Sequence, residues 1–195
     1  KAKKRKKALK QYRDWERVEE KKSAKTVKKK KPNRYHEKKL YEPIAKWLAK
    51  DEKLADKEVT YDTAVKTIDK YLRENKLTNT FSNLSDFNQK PDVVGLRRKG
   101  GFVIFIEVKA GSLSLTDLGQ LLGYCLMANP NRAILVSPSG PSAELMKMLI
   151  NNPPILEFGS GKKIQVGLWD KKYGFRAVEN FYFVGLSIFI VSVHL

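Results

Sequence analysis

Apolar residues recur at helical spacing once the polar N-terminal stretch of the chain has ended. A period near 3.6 predicts helices over residues 36–49 and 61–75, because apolar residues at that spacing share one face. Pro43 either kinks the first of these helices or marks its true first turn. Residues 76–90 are polar and irregular, and a short edge strand is expected near Phe81.

A hairpin is predicted in the middle of the chain. Residues 92–96 and 102–109 have the composition of strands, and the basic turn 97–101 joins them. A helix capped by Thr116 or Ser114 follows and runs to about residue 127, where Asn129-Pro130 ends it. The remaining elements are a strand, a helix and a strand at residues 132–137, 141–150 and 163–169. This order predicts an α/β fold with a mixed central sheet flanked by helices.

The chain ends in an apolar run from Phe181 to Leu195 that carries no Lys, Arg, Asp or Glu. Its length falls short of the roughly 20 residues that a membrane-spanning helix needs, so we expect no transmembrane span. Its content of Phe, Ile and Val predicts a final strand of the core sheet. A peripheral membrane or partner contact is the alternative.

Charge divides the chain into a basic arm, residues 1–34, and a domain, residues 35–195. The formal net charge is +18, and residues 1–31 hold 16 Lys and Arg against 4 Asp and Glu. Such an arm predicts a polyanion partner, with nucleic acid first and a membrane surface second. We expect the arm to be partly disordered or helical, and a solvated tail is compatible with non-specific phosphate contacts. The candidates for these contacts are Lys28, Lys29, Lys30 and Lys31.

Cysteine usage and the first residues bear on the compartment. Cys125 is the single cysteine of the sequence, so an internal disulfide or a cysteine-held zinc or iron–sulfur site is excluded. The first thirty residues contain no apolar run of the kind found in secretory signals. We therefore expect a cytoplasmic protein that works where its nucleic acid is.

The strand predicted at 102–109 changes character at its end. It is apolar on both faces, as in a central strand, until Glu107 and Lys109 appear two residues apart on one face. Burying such charges is costly unless they pair or hold a metal. Asp92 opens the neighbouring strand, so the hairpin predicts two carboxylates at one end. These ligands suit Mg²⁺ or Mn²⁺, and the backbone carbonyl of Val108 could add a third oxygen.

Lys109 would then orient or help to deprotonate an attacking water and stabilise charge that develops on phosphorus. The structural alternative for Glu107 and Lys109 is an ion pair at a sheet edge, and for Asp92 it is an acid that caps a turn.

Pro91-Asp92 followed by Glu107-Val108-Lys109 at the end of an apolar strand resembles the PD-(D/E)xK nuclease superfamily. Restriction endonucleases, archaeal Holliday-junction resolvases and RecB-type nucleases belong to it. The resemblance covers residues 35–138 and implies a restriction-endonuclease-like fold, two metal-binding acids and a lysine that assists attack on a phosphodiester. It also implies DNA as the substrate, and it allows a homodimer because many relatives cut two strands as dimers.

Two further features extend the resemblance. Many members carry a glutamate on the first helix, and Glu37 lies on the inward face of the first predicted helix. The RecB-like branch has a Gln-xxx-Tyr pair on the helix after the ExK strand. Gln120 and Tyr124 match that spacing and lie away from the apolar stripe of their helix.

The sequence leaves alternatives open for the turn and for the function. Arg97, Arg98 and Lys99, in a turn expected beside the site, either contact backbone phosphates or are simply solvated. A Mg²⁺-dependent deoxyribonuclease is the favoured function, because every charged residue of the motif is present. A nucleic-acid-binding module of the same fold without catalysis is the first alternative. An interaction or membrane-surface protein that uses the arm and the apolar C-terminus is the second.

Overall fold

The computed structural model describes residues 34–55, 58–63 and 65–178. Its helices are α1 (Arg34–Asp51), α2 (Ile68–Glu74), α3 (Leu115–Ala128) and α4 (Ala143–Asn151). Its strands are β1 (Val59–Tyr61), β2 (Val93–Arg97), β3 (Phe102–Val108), β4 (Arg132–Ser137), β5 (Glu157–Phe158), β6 (Lys162–Asp170) and β7 (Gly174–Ala177). Short 3₁₀ helices lie at Ser82–Leu84 and Pro153–Leu156.

Two predictions lie outside the described residues. They are the phosphate contacts of the basic arm through Lys28, Lys29, Lys30 and Lys31, and the final strand at 181–195. Both remain predictions. Within the described part of the chain, no helix combines the length and the apolar character that crossing a membrane requires.

The seven strands of the described residues form one mixed sheet in the order β1-β2-β3-β4-β6-β5, with β7 also paired to β6. The β3–β4 and β4–β6 pairs are parallel, and the other pairs are antiparallel. Parallel neighbours need a crossover connection, and α3 and α4 lie in the two crossovers. The predicted α/β architecture, a mixed sheet flanked by helices, is confirmed.

The sheet is covered on both faces, and β3 contributes to both cores. Ile104 and Ile106 join the cluster beneath α1, while Val103 and Phe105 join the cluster beneath α2, α3 and α4. A strand buried on both sides is apolar at successive positions rather than alternate ones. This explains the apolar run that precedes Glu107 in the sequence.

Helix α1 runs through Pro43 without a break in its assigned span. Its buried residues Tyr41, Ile44 and Leu48 belong to the cluster on this face of the sheet. Glu37 therefore lies in the first turn of a helix that is anchored by its own apolar face. Of the two interpretations of Pro43, the one that begins the helix there is wrong.

The helix predicted over 61–75 is wrong in its first half. Residues 59–61 form the edge strand β1, and α2 begins only at Ile68. A three-residue strand is too short to display an alternation that separates it from a helical pattern. The edge strand expected near Phe81 is also wrong, because this buried residue precedes a 3₁₀ turn. The short strands β5 and β7 were not predicted.

Two glycines with positive φ offer a matched test of the packing between the start of β7 and α1. Gly174 has φ +75°, and a Cβ added there would lie 2.6 Å from the Trp47 ring, whereas Gly100 has φ +83° and open space. Gly100→Ala should lower the free energy of unfolding by about 1 kcal/mol through backbone strain alone. Gly174→Ala should lower it by about 2–4 kcal/mol, because overpacking adds to that strain. Urea denaturation measures both, and equal losses would contradict the close approach of Trp47.

Candidate active site

The register of the β2–β3 hairpin brings the two candidate metal ligands together. Val93 pairs with Ile106, so Asp92, one residue before the ladder, stands opposite Glu107. Directly opposed residues of an antiparallel pair have Cβ atoms about 5 Å apart. The structure thus places both carboxylates at one end of the central hairpin.

A cavity of about 310 Å³ lies at this end of the sheet, with walls from α1 and α3. The six side chains predicted to carry the chemistry all line it, namely Glu37, Asp92, Glu107, Lys109, Gln120 and Tyr124. Three further lining residues, Tyr41, Asp62 and Lys90, were not nominated. Residues separated by up to 87 positions in the chain therefore share one concave surface.

Asp92 is held from two sides. Its Oδ1 accepts a hydrogen bond from the Tyr41 hydroxyl at 2.6 Å, and its Oδ2 accepts one from the Val108 amide at 2.8 Å. Its main-chain carbonyl accepts a hydrogen bond from the Asp62 amide at 2.8 Å. Burial raises the pKa of Asp92, and the two donors to its carboxylate oppose that rise. The orientation of this carboxylate is therefore determined by both α1 and β3.

Glu107 is the most deeply buried acid of the cavity, with 1% of its surface exposed. Its Oε1 accepts hydrogen bonds from Lys109 Nζ at 2.6 Å and Gln120 Nε2 at 2.8 Å. Its Oε2 is buried and has no hydrogen-bond partner among the described residues. Burial, followed by the negative charge of Asp92, raises the pKa of Glu107 to about 8, against the opposing pull of Lys109. When Glu107 is ionised, its Oε2 is therefore the oxygen that could accept a cation.

Lys109 extends the pairing of β3 by one residue, because its amide donates to the Val136 carbonyl at 3.0 Å. This bond fixes the backbone from which the ammonium group reaches Glu107. Burial lowers the pKa of Lys109, but the negative charges of Glu107, Asp92 and Glu37 outweigh it, so the pKa is raised overall. Lys109 is therefore a cation at neutral pH.

Glu37 enters the cavity from the first turn of α1. Burial and the charge of Asp92 raise its pKa, while Lys109 and the Ala110 amide oppose the rise. Its Oε1 lies 3.4 Å from the Tyr41 hydroxyl. Glu37 thus faces the acids of the hairpin from the layer above them.

Gln120 and Tyr124 reach the cavity from the opposite layer. Helix α3 begins with a capping box between Ser114 and Asp117, which fixes the start of the helix that carries both residues. Gln120 Nε2 donates to Glu107 and, at 2.8 Å, also to the Tyr124 hydroxyl. Gln120 therefore contacts the ExK strand directly, and Tyr124 is connected to it through Gln120.

The turn residues Arg97, Arg98 and Lys99 are not brought to the cavity. β2 runs from beside Asp92 to Arg97, so the turn lies at the other end of the hairpin, about 16 Å away along the strand. The Arg97 guanidinium lies 4.2 Å from the Phe102 ring centroid, and its Nη1 lies 3.7 Å from a Glu52 oxygen. The expectation that this turn lies beside the site is wrong, and phosphate contact there remains a prediction for a separate surface.

The sequence gives a different signal for each of the three lining residues that were not predicted, Tyr41, Asp62 and Lys90. Tyr41 lies one turn after Glu37 on the same helix face, so the helical period could have found it. Lys90 precedes the Pro91-Asp92 pair directly. Asp62, whose carboxylate pairs with Lys38, was assigned to a helix and is in fact in a turn with φ +51°. Asp62 could have been found only if the sequence had revealed that β1 ends at Tyr61.

The donor set of the cavity can be tested against a divalent cation. Among the described residues, no group of three or more His, Cys, Asp or Glu side chains is arranged to hold a metal. Mg²⁺ commonly uses one or two carboxylates and completes its shell with water and substrate oxygens. Asp92 and Glu107 supply that number, and the unpartnered Oε2 of Glu107 fits a cation as its missing partner. These two residues therefore suit a water-rich Mg²⁺ or Mn²⁺ site.

Comparison with protein-family models finds no match to this chain. Comparisons with curated proteins and with solved structures find none either. Function must therefore be inferred from the geometry and chemistry of the cavity.

Glu107→Gln is expected to stabilise the metal-free protein at alkaline pH. Because the folded state raises the pKa of Glu107 from 4.5 to about 8, its stabilising contribution is complete below the lower value and is lost as the pH rises through the upper one. Gln keeps the shape and cannot ionise. With a chelator at about pH 8.5 the free energy of unfolding should rise by about 1–3 kcal/mol, since each pKa unit is worth about 1.4 kcal/mol.

Glu157→Gln is the control, because this exposed carboxylate lies on β5 and pairs only with Lys163 among the described residues. It should change the free energy of unfolding by less than about 0.5 kcal/mol at either pH. Chemical denaturation at about pH 5 and about pH 8.5 gives the comparison. A Glu107→Gln variant whose advantage does not grow with pH would contradict the raised pKa.

Proposed function

We propose that the protein is a metal-dependent nuclease of the PD-(D/E)xK type that hydrolyses DNA phosphodiester bonds. The observation that carries the proposal is the convergence of Asp92, Glu107 and Lys109 in one cavity at the end of the central hairpin. A restriction-endonuclease-like fold is part of the proposal. It is supported by an antiparallel hairpin whose second strand continues through α3 into a parallel neighbour.

Asp92, Glu107 and the main-chain carbonyl of Val108 would hold the divalent cation, Mg²⁺ or Mn²⁺. When bound, such a cation supplies Lewis acidity and lowers the pKa of a water ligand. Asp92 is already oriented by the hydrogen bonds from Tyr41 and Val108, so its carboxylate needs little rearrangement.

Lys109 acts as an electrostatic group in this proposal. Its raised pKa keeps the ammonium protonated at neutral pH, so it suits stabilisation of negative charge on a phosphate oxygen better than removal of a proton from water. Glu37 is the better proton acceptor, because its carboxylate faces the same cavity and its pKa is raised.

Gln120 and Tyr124 position Glu107. The side-chain amide of Gln120 spans Glu107 Oε1 and the Tyr124 hydroxyl, which holds one carboxylate oxygen and leaves the other without a protein donor among the described residues. Lys90 is exposed at the cavity and is not paired with a described carboxylate, so it is available to a phosphate of the substrate strand.

The charge of the cavity favours an enzyme over a binding module without catalysis. Its lining includes four carboxyl groups, on Glu37, Asp62, Asp92 and Glu107, and two ammonium groups, on Lys90 and Lys109. Such a lining offers a polyanion no excess of positive charge until a cation is bound. The binding-module alternative draws its support from the arm, where 16 basic residues in positions 1–31 predict DNA binding that needs no cavity.

Cleavage of labelled single-stranded, duplex and branched DNA in Mg²⁺ or Mn²⁺ tests the proposal. Asp92→Ala and Lys109→Ala should each reduce the rate by at least about 100-fold, because the first removes a ligand of the proposed cation and the second removes the charge that stabilises the reacting phosphate. A chelator should abolish cleavage in the parent. Lys147→Ala is the control for loss of a positive charge, because Lys147 is exposed on α4, and it should cleave like the parent.

Three results bear against the enzyme. Cleavage that survives in Asp92→Ala would point to a contaminating nuclease. Absence of cleavage on every substrate, together with salt-sensitive DNA binding that neither substitution changes, would favour the binding module. Loss of activity in Lys147→Ala to the same degree would mean that overall charge, and not the cavity, determines the rate.

Metal affinity should increase with pH, because Glu107 must lose its proton before it can bind a cation. Because its pKa is raised to about 8 in the metal-free protein, a cation must displace a proton below that pH. The Mg²⁺ concentration for half-maximal activity should therefore fall by about tenfold per pH unit between about pH 6 and about pH 8 and level off above, as expected for one released proton. A half-maximal concentration that is independent of pH would contradict a proton on Glu107.

A further inference from the structure

We propose that Tyr41 is a positioning residue for Asp92, and that its hydroxyl fixes the orientation in which this carboxylate meets the cation. The inference rests on the proposed function. Tyr41 does not belong to the Asp–ExK motif or to the Gln-xxx-Tyr pair, and it lies on a different layer from both.

The hydrogen bond from Tyr41 has a defined direction. A phenol carries one proton, and its oxygen lies 2.6 Å from Asp92 Oδ1 and 3.4 Å from Glu37 Oε1. The proton therefore goes to Asp92, where the bond to an ionised acceptor is short and strong. The 3.4 Å contact from the Tyr41 hydroxyl to Glu37 Oε1 is therefore the weaker of the two.

Asp92 depends on this bond because its own strand does not hold its side chain. The residue precedes the first paired position of β2, and the bond from the Asp62 amide holds its main-chain carbonyl but not its carboxylate. The donors to its carboxylate are Tyr41 from α1 and the Val108 amide from β3, one on each oxygen. Two donors on two oxygens define the plane of the carboxylate, and each oxygen still has a free acceptor site for a cation.

Tyr41 is itself held rigidly. It is 3% exposed in the cluster beneath α1, between the apolar contacts of that helix and the sheet. A phenylalanine would fill the same apolar space, whereas a buried hydroxyl is costly without a partner. The hydroxyl therefore has a role that packing alone does not explain, and that role is directed at Asp92.

Tyr41→Phe removes the hydroxyl and keeps the ring, and Tyr71→Phe is the matched control. Tyr71 is a buried tyrosine on α2, in the core on the other face of the sheet. Binding of Mn²⁺ alone to the full chain, measured by calorimetry, is the primary readout. Tyr41→Phe should weaken Mn²⁺ binding by about 10–100-fold, the usual effect of losing an outer partner of a metal ligand. Tyr71→Phe should bind Mn²⁺ like the parent.

Cleavage kinetics provide the second readout. In Tyr41→Phe, the Mn²⁺ concentration for half-maximal cleavage should rise, while the KM for DNA stays unchanged and excess Mn²⁺ restores kcat. Asp92→Ala should not be rescued in this way, because it lacks the ligand itself. A structural role would instead lower the unfolding temperature of Tyr41→Phe without any change in Mn²⁺ affinity.

The outcomes separate the two proposals. Parent-like Mn²⁺ affinity in Tyr41→Phe, with binding lost in Asp92→Ala, overturns the positioning role and leaves the nuclease intact. A parent protein that binds no Mn²⁺, or binds it equally well after Asp92→Ala, overturns the metal site and the role of Tyr41 with it. Equal weakening in Tyr41→Phe and Tyr71→Phe also overturns it, because loss of any buried hydroxyl would then suffice.

Discussion

Glu107 combines almost complete burial with a carboxylate oxygen that has no hydrogen-bond partner among the described residues. Burying an ionised carboxylate is expensive, and the two donors on the other oxygen, Lys109 and Gln120, do not remove that cost, because the pKa of Glu107 remains raised. The rest of the cavity is organised around this group. Lys109 lies beside it on β3, Gln120 donates to it from α3, and Asp92 stands opposite it on the hairpin. A divalent cation would complete the set and relieve the unfavourable burial.

The cavity joins the two layers that cover the sheet. Helix α1 packs on one face of the sheet and contributes Glu37 and Tyr41 to the cavity. Helix α3 packs on the other face and contributes Gln120 and Tyr124. Because each helix is anchored by its own apolar stripe, its polar side chains arrive at the strand end in fixed positions. The end of β3 is where both layers can reach the same two carboxylates. A site at the middle of the sheet would have been accessible to one layer at most.

Charge is distributed in two opposite ways along this chain. The whole protein is strongly basic, with a formal net charge of +18, yet the lining of the cavity has twice as many carboxyl as ammonium groups. In the proposed function, basic residues outside the cavity would attract a polyanion at long range, and the acids within it would bind a cation at short range. In the proposed nuclease, stability and function would oppose each other at Glu107, because its buried oxygen without a hydrogen-bond partner would be the one that meets the cation.

The sequence by itself predicted the central hairpin, the strand that follows α3, and six candidate side chains that the structure places in one cavity. The apolar runs of β3 and β4, the ExK sequence that ends β3 and the Gln-xxx-Tyr spacing of α3 are local patterns. Each of them lies within or at the end of a single element, so the sequence alone can reveal it. Only the tertiary structure decided that Tyr41 and Asp62 join the cavity and that the turn of Arg97, Arg98 and Lys99 does not. The edge strand β1 exists because β2 offers it a pairing partner, and no pattern within three residues can report that. Which side chains meet depends on strand direction and helix placement, and these are determined by contacts between residues far apart in the chain.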